Sequence, residues 1–429
     1  MTDRILFYCQ HVLGIGHLVR STEIVREMTC DSRVLLVCGG EKPEGFQFPE
    51  HKNLEILQLP ALKTNPDFSN LHACASSRSM DEIKPLRRTM LLQALARFKP
   101  DAIVTELFPF GRKHFRFELL PLLEQTRQES RGPLLVSSVR DILVKRKDQE
   151  EFEQRACDLV NAFYDLILVH GDEKFQTLDE TFSRVNDLHC PVIYTGYVAR
   201  KSRVAAADAS RSLPAEYRPP MIVVSNGGGQ YLSGQMLLER VLQAAQLLRS
   251  RIPHEFHLFA GPLMPDTAYS RLELQARGSD NVKLARFTAD LMAVLRRADL
   301  SVSMAGYNTI MDVLGTGVRA MVYPVTTNDD QEQIVRAGSL AKAGIIDVIR
   351  TEELVPEKLA RKLEHALGKE PALLPVNFDG AANTVRILKK FLAAHREPTF
   401  DTPQTSHWPQ ETSNTRTRVS GPGTAEHTR

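Results

Sequence analysis

The sequence predicts an α/β chain of two parallel-sheet domains facing one another, and three observations carry that expectation. Its 429 residues exceed one ordinary domain and suit two or three of roughly 150. Short, near-continuous apolar runs alternate with longer helical patterns, as expected of parallel strands covered by helices on both faces. The order strand, glycine-rich turn, helix opens both halves, at 5–28 and again at 221–248. Hydrophobic residues at 42% and charged residues at 25% belong to a globular chain. With 54 Lys+Arg against 52 Asp+Glu, the net charge of +2 lacks the basic excess of a nucleic-acid binder, so no nucleic-acid partner is expected. No apolar run approaches the ~18–20 residues of a membrane span. The opening MTDRILFYCQHVLGIGH does not read as a signal peptide, because Gln10 and His11 break its apolar stretch. Six scattered cysteines without a CxxC pair argue against structural zinc and against a disulfide framework. A cytoplasmic protein is expected.

Taken in order, 5–9 reads as a buried strand, followed by a glycine turn and a helix over 17–28. Strands at 34–38 and 54–59 follow. The polar segment 63–81 reads as a long loop. A helix at 85–98 leads to a strand at 102–105, with Glu106 at its carboxyl end. Helices near 115–130 and 148–163 separate strands at 134–137 and 166–169, and 192–194 is the last strand of this half. An N-terminal domain thus spans 1–200, and a linker rich in Ala, Ser, Arg and Pro spans 201–220. The C-terminal domain, 221–370, restarts with strand 221–225, a triple glycine and helix 232–248. Strands follow at 256–260, 282–284, 300–303, 319–323 and 345–348, with helices at 289–296, from after Gly306 to about 314, at 330–343 and at 356–366. A final helix within 378–396 is placed to cross back to the first domain. From 397 to 429 no hydrophobic periodicity remains, and the tail reads as disordered. Ligands of open α/β sheets bind at the carboxyl ends of the strands, so two such domains place their ligands in a shared cleft.

Four constellations fall at those strand ends. In His11-Val-Leu-Gly14-Ile-Gly16-His17, two glycines permit a sharp turn and a close ligand, and His17 enters the first turn of a helix. The helix dipole disfavours imidazolium there, which suits a general base; a helix cap satisfies the same pattern. The run Asn226-Gly227-Gly228-Gly229 between strand and helix presents amide groups to phosphate oxygens, or else is a plain turn. In Ala305-Gly306-Tyr307-Asn308-Thr309, Asp312 stands three residues after Thr309, on nearly the same helical face. It suits a ribose diol, or a helix start favoured by the dipole. The run 327–337 carries Glu332, Gln333 and Arg336 at helical spacing, which a solvated helix end explains equally well.

Together these motifs resemble the GT-B glycosyltransferases, and within them the MurG-type family 28 group. The resemblance covers most of residues 4–370 and is strongest in the second domain. More narrowly, HVLGIGH, SMAGYNT and EQ-x-x-RA are similar to a group of bacterial proteins known only as predicted glycosyltransferases. The resemblance implies two Rossmann-like domains around a cleft. It implies His17 as the base toward an acceptor hydroxyl, and Gly227, Gly228 and Gly229 beside the donor diphosphate, with Gly16, Asn226, Ala305, Gly306, Asn308 and Thr309 in the same donor motifs. Asp312 falls where the family usually has a ribose-binding glutamate. Glu332 and Gln333 match the pair that contacts the donor sugar, and Phe287 lies where the nucleobase loop begins. Arg336 replaces the Asn of the MurG enzymes themselves.

The resemblance further implies a nucleoside-diphosphate sugar donor, UDP-sugars favoured, a hydroxyl acceptor, inversion, no cofactor and no bound metal. The residues agree on the last point, since no HExxH or DxD spacing is present. On the acceptor side, Glu106, Ser138, Arg140, Asp141 and His170 end first-domain strands and are acceptor candidates or local ion pairs. The aromatic and basic run 108–117 admits two readings, a peripheral membrane contact or a buried helix edge. A nucleotide-sugar hydrolase or epimerase, or a non-catalytic nucleotide-binding protein, would reuse the same scaffold.

Overall fold

The computed structural model describes residues 2–12, 15–43, 46–65, 70–74, 78–129, 131–199, 218–229, 231–288, 290–325, 331–369 and 376–397. Gly14, most of the predicted linker, residues 327–330 of the fourth motif and nearly all of the predicted tail lie outside the described residues.

Two parallel sheets form the frame. The first runs β3 (Leu54–Gln58), β2 (Arg33–Cys38), β1 (Arg4–Cys9), β6 (Ala102–Glu106), β7 (Leu134–Arg140), β8 (Leu166–His170), β9 (Val192–Tyr194). Its helices are α1 (Gly16–Met28), α2 (Met80–Phe98), α3 (Arg116–Arg127) and α4 (Gln149–Phe163). The second sheet runs β12 (Val282–Ala285), β11 (Glu255–Phe259), β10 (Met221–Ser225), β13 (Leu300–Met304), β14 (Ala320–Tyr323), β15 (Asp347–Val348). With it go α5 (Leu232–Leu248), α6 (Asp266–Ala276), α7 (Leu291–Arg297), α8 (Tyr307–Thr316), α9 (Glu332–Lys342) and α10 (Pro356–Leu367). The central strands are buried along their whole length: β6 and β10 read as apolar runs ending in polar residues, while β13 carries two buried serines.

The last helix, α11 (Gly380–Arg396), returns to the first domain. Its Ala381, Val385, Leu388 and Phe391 share a core with Phe7 of β1 and Ile24 and Val25 of α1. Within the segment expected to be a loop, β4 (Leu62–Thr64) and β5 (Leu71–Ala73) pair antiparallel. The helix expected from 85 begins at Met80, because Glu82 accepts the Ser79 N–H at 2.8 Å and caps the start. In the run 108–117, Phe108, Phe110 and Phe115 are buried in the first core, so the reading as a buried edge holds and these three rings meet no membrane.

Strand register sets up the site. Glu106 pairs in register with Ser138, and Arg140 with His170, so four polar side chains cluster at the carboxyl edge of the first sheet. In the second sheet Ser225 pairs with Ser303, which brings the triple-glycine turn beside the Ala305-Gly306 turn.

Candidate active site

His17 lies in the first turn of α1, with its side chain 15% exposed. Its Nδ1 is 2.9 Å from Oε1 of the fully buried Glu106. A carboxylate only accepts, so Nδ1 carries the proton and Nε2 keeps its lone pair. Arg20, one turn along α1, approaches the same nitrogen at 3.4 Å but donates its close hydrogen bond to Glu106. The other Glu106 oxygen accepts from Ser138 Oγ at 2.8 Å, and Ser138 Oγ lies 2.9 Å from His170 Nε2. Nδ1 of His170 is 2.9 Å from Thr195 Oγ1. A continuous hydrogen-bonded chain therefore runs from His17 through Glu106, Ser138 and His170 to Thr195.

Burial, reinforced by the Arg112 guanidinium and only partly offset by Glu106, pushes the His17 imidazole down to about 3. Burial and the nearby Arg20 cation lower His170 to about 3 as well. Burial alone would raise Glu106, yet Arg20 and the His17 hydrogen bond outweigh it and hold the carboxyl well below its ordinary range. The arrangement is a neutral imidazole oriented by an ionised carboxylate, so the ring is free to accept a proton at neutral pH.

On the second domain, Gly227 and Gly229 have φ of 62° and 88°, conformations open to glycine. A Cβ on Gly227 would lie 3.6 Å from Thr309 Oγ1, so the triple-glycine turn and the start of α8 adjoin. Gly229 serves packing: its Cβ would come within 2.6 Å of the Ala260 carbonyl and 3.0 Å of Gly261 Cα. We expect Gly229→Ala to destabilise the fold by about 2–3 kcal/mol through strain and overpacking, measured by denaturant unfolding. The buried Asn226 side chain donates to the Ala260 carbonyl at 3.2 Å and abuts Gly234 of α5, so it braces this turn. Gly306 caps α8, and Ala305 is buried beneath it. Phe287, just beyond β12, is 63% exposed.

The two domains meet at this point. A Cβ on Gly16 would lie 3.6 Å from Asn308 Nδ2 across the cleft. Asp312 is fully buried and faces Val19, Arg20 and Glu23 of α1 across a crevice with no room for a water molecule. The Arg336 guanidinium holds both Asp141 oxygens, at 2.9 and 3.2 Å, and reaches Glu332 at 2.8 Å; Glu332 also pairs with Arg140. Burial opposes the Glu332 charge, but Arg140 and Arg336 hold the carboxyl at about 2. Tyr307 lies between Arg20 and Arg336, 5.3 and 5.1 Å from its ring centre, and donates to the His170 carbonyl at 3.2 Å. Gln333, beside Glu332, keeps a buried Oε1 that finds no hydrogen-bond partner among the described residues.

The structure thus gathers His17, Glu106, Arg140, Asp141 and His170 with Glu332, while Phe287 stands outside this cluster. Sequence reasoning ended the first constellation at Arg20 but gave that residue no role, and it gave Thr195 none either. Arg20 had a signal, its i+3 spacing from His17; Thr195 had only its place after a strand.

Comparison with known proteins follows the same lines. Residues 225–389 match the glycosyltransferase family 28 C-terminal domain. A stretch of 195 residues, 44% of the chain, is 27% identical to the UDP-N-acetylglucosamine–N-acetylmuramyl-(pentapeptide) pyrophosphoryl-undecaprenol N-acetylglucosamine transferase of Methylobacterium radiotolerans. That match spans about half of the relative, 51% of its length. Among solved structures, Acinetobacter baumannii MurG superimposes with a TM-score of 0.56 at 14% identity, covering 90% of this chain and 100% of that one. The UDP-GlcNAc 2-epimerase of Methanocaldococcus jannaschii gives 0.59 at 11% identity, covering 90% and 99%. These two likenesses establish the two-domain fold. The chain is a relative of the MurG-type family 28 glycosyltransferases, with a GT-B fold of two Rossmann-like domains.

Proposed function

We propose that the protein is a metal-independent, inverting glycosyltransferase. It moves a hexose or N-acetylhexosamine from a UDP-sugar to a hydroxyl acceptor at the cytoplasmic side. The observation that carries this reading is the His17–Glu106 pair on one domain, set opposite the glycine turn of a family 28 domain on the other. His17 Nε2 takes the acceptor proton as the acceptor oxygen forms its bond to the anomeric carbon. The bond from that carbon to the diphosphate oxygen breaks on the far face, and Glu106 stabilises the imidazolium. Amides of the triple-glycine turn and the start of α5 then take up the charge on the departing diphosphate. Donor entry requires the cleft to open and Glu332 to leave Arg140, and reclosure excludes water as a competing nucleophile.

A thermal-shift screen of UDP, GDP, dTDP and their sugars tests the donor assignment, with the largest stabilisation expected from the uridine series. Product analysis by mass spectrometry separates transfer from release of free sugar or of an epimer. Gly228 is the suitable glycine for a site test, because its φ, unlike those of its two neighbours, is not positive. Gly228→Val is expected to weaken UDP binding at least tenfold with little change in melting temperature. Unchanged affinity in a folded variant would remove the turn from the donor site.

A further inference from the structure

Ser138 on β7 and His170 at the end of β8 are 1% and 0% exposed, so neither side chain touches a substrate. Both nevertheless belong to the hydrogen-bonded chain that ends on His17, and the way Glu106 is held shows what they do there. Arg87, Arg336 and Arg20 are all buried against buried carboxylates. Arg87 grips Glu118 side-on, with Nε on one oxygen at 2.8 Å and Nη2 on the other at 2.6 Å. Arg336 grips Asp141 in the same fork, at 3.2 and 2.9 Å. This bidentate pairing is the strong geometry for the two groups. Arg20 departs from it. Its Nη2 donates to Oε1 of Glu106, but its Nε is shut off from solvent and finds no partner among the described residues. The second Glu106 oxygen accepts from Ser138 Oγ at 2.8 Å instead, and Oε1 is shared with His17 Nδ1 at 2.9 Å. Without the Ser138 hydroxyl, the carboxylate is free to turn about its Cγ–Cδ bond and offer Oε2 to the vacant Arg20 Nε.

Hydrogen counting gives the chain a direction. Glu106 only accepts, so the single Ser138 hydroxyl hydrogen points to it, and Ser138 Oγ must accept from His170 Nε2 at 2.9 Å. A neutral His170 then has a bare Nδ1, which takes the Thr195 hydroxyl hydrogen at 2.9 Å. Each donor thus points toward Glu106, an arrangement in which successive hydrogen bonds polarise and strengthen one another. Both domains pin the far end. Asn383 of α11 donates to the Thr195 carbonyl at 2.9 Å, and Tyr307 of α8 to the His170 carbonyl at 3.2 Å. Thr195 Oγ1 also lies 2.9 Å from the Gly196 carbonyl, a second acceptor for the same hydrogen.

We propose that Ser138, oriented by His170, is a positioning residue for His17: it withholds the second Glu106 oxygen from Arg20 and so keeps the carboxylate on Nδ1 of the imidazole. An imidazole that loses its Nδ1 acceptor is free to carry its hydrogen on Nε2, the nitrogen that must be bare to take the acceptor proton. The proposal deepens the glycosyltransferase reading and rests on it for the role of His17.

The test reads histidine protonation in the full chain by nitrogen NMR of isotopically labelled histidine. The chain has 13 histidines, and the resonances of His17 and His170 are assigned by their loss in His17→Gln and His170→Gln. In the wild type the hydrogen is expected on Nδ1 of His17 and on Nε2 of His170. In Ser138→Ala, Arg20 takes both Glu106 oxygens, and His17 is expected to populate the Nε2–H form. His170, with no hydroxyl left to accept from Nε2, should move its hydrogen to Nδ1 and return the Thr195 hydroxyl to the Gly196 carbonyl. Ser138→Cys fills the same space with a weak donor and should move both rings in the same direction. UDP affinity should stay within about twofold in both variants, because the glycine turn lies in the other domain. A purely structural role would lower the melting temperature and leave both rings as they are. Two results overturn the proposal: a hydrogen on Nδ1 of His170 in the wild type, or a His17 that keeps its Nδ1–H form in the folded Ser138 variants. If the rings respond as expected while neither UDP nor its sugars stabilise the wild type, the transferase reading falls and the positioning of His17 stands.

Discussion

His17→Ala is expected to lower turnover by ~10²–10⁴-fold, the usual contribution of a general base, while the affinity for UDP changes less than twofold. The separation follows from position, because His17 belongs to the first domain and the glycine turn to the second. His17→Gln retains a hydrogen-bonding side chain toward Glu106 but cannot take a proton, so it should be nearly as impaired. Near-wild-type turnover in the Gln variant would make His17 a positioning residue and turn attention to Glu106 and Asp141. Glu106→Gln should fall between, because it keeps a partner for Nδ1 but loses the charge that stabilises imidazolium. The pH dependence has a definite sign. The folded imidazole titrates near 3, below its ordinary 6.5, so it stays deprotonated throughout the neutral range. No acid limb from His17 is expected in kcat/KM between pH 6 and 8, and a limb near 6.5 would mean that the ring is solvated in the working enzyme. For stability, the unfolded chain takes up the His17 proton first. The contribution is whole above about 6.5 and is lost as pH falls from there toward 3.

The parts of this molecule that could be read in sequence are those set by local physics. Strands such as β1 and β2 are buried on both faces, so their apolar runs are unbroken and their ends can be placed within a residue or two. The triple-glycine turn announces itself because two of its residues, Gly227 and Gly229, have positive φ. Helix α6 did not, since only Ala268 and Leu272 of its eleven residues are buried and no apolar stripe forms. The hairpin of β4 and β5 has three-residue strands, too short for an alternation to register. Within the site, His17 and Glu106 were singled out as strand-end or glycine-loop residues, but their pairing across 89 residues was not. The contact of Asp141 with Arg336 joins positions 195 apart, and each looked like an ordinary helix or strand terminus. A single sequence shows which residues are polar at strand ends; it does not show which of them neutralise each other.

That cross-domain cluster carries the largest expected loss of stability. Asp141 is fully buried and Arg336 is 2% exposed, so removing the cation takes away the guanidinium that holds both Asp141 oxygens and one of the arginines paired with Glu332. Arg336→Ala is therefore expected to destabilise the protein by about 3–5 kcal/mol in denaturant unfolding. Most of that loss reflects the carboxylates left behind, because a matched buried pair contributes little beyond its own desolvation. The double variant Arg336→Met, Asp141→Asn should accordingly recover more than half of it, whereas simple additivity would make the double variant worse than either single one. In the wild type Glu332 titrates near 2, below its ordinary 4.5, so its stabilisation is complete above about 4.5 and disappears as pH falls toward 2. With Arg336 gone, part of that depression goes too, and the gap between variant and wild type should narrow as pH drops from about 4.5 toward 2. A gap that stays constant over this range would show that Arg336 acts through packing on Tyr307 and not through charge. The same variant bears on donor binding, since it frees Glu332 from one of its two arginines. If the cluster restrains the donor-facing carboxylate, a folded Arg336→Met protein should bind the UDP-sugar more tightly than UDP by a wider margin than the wild type does.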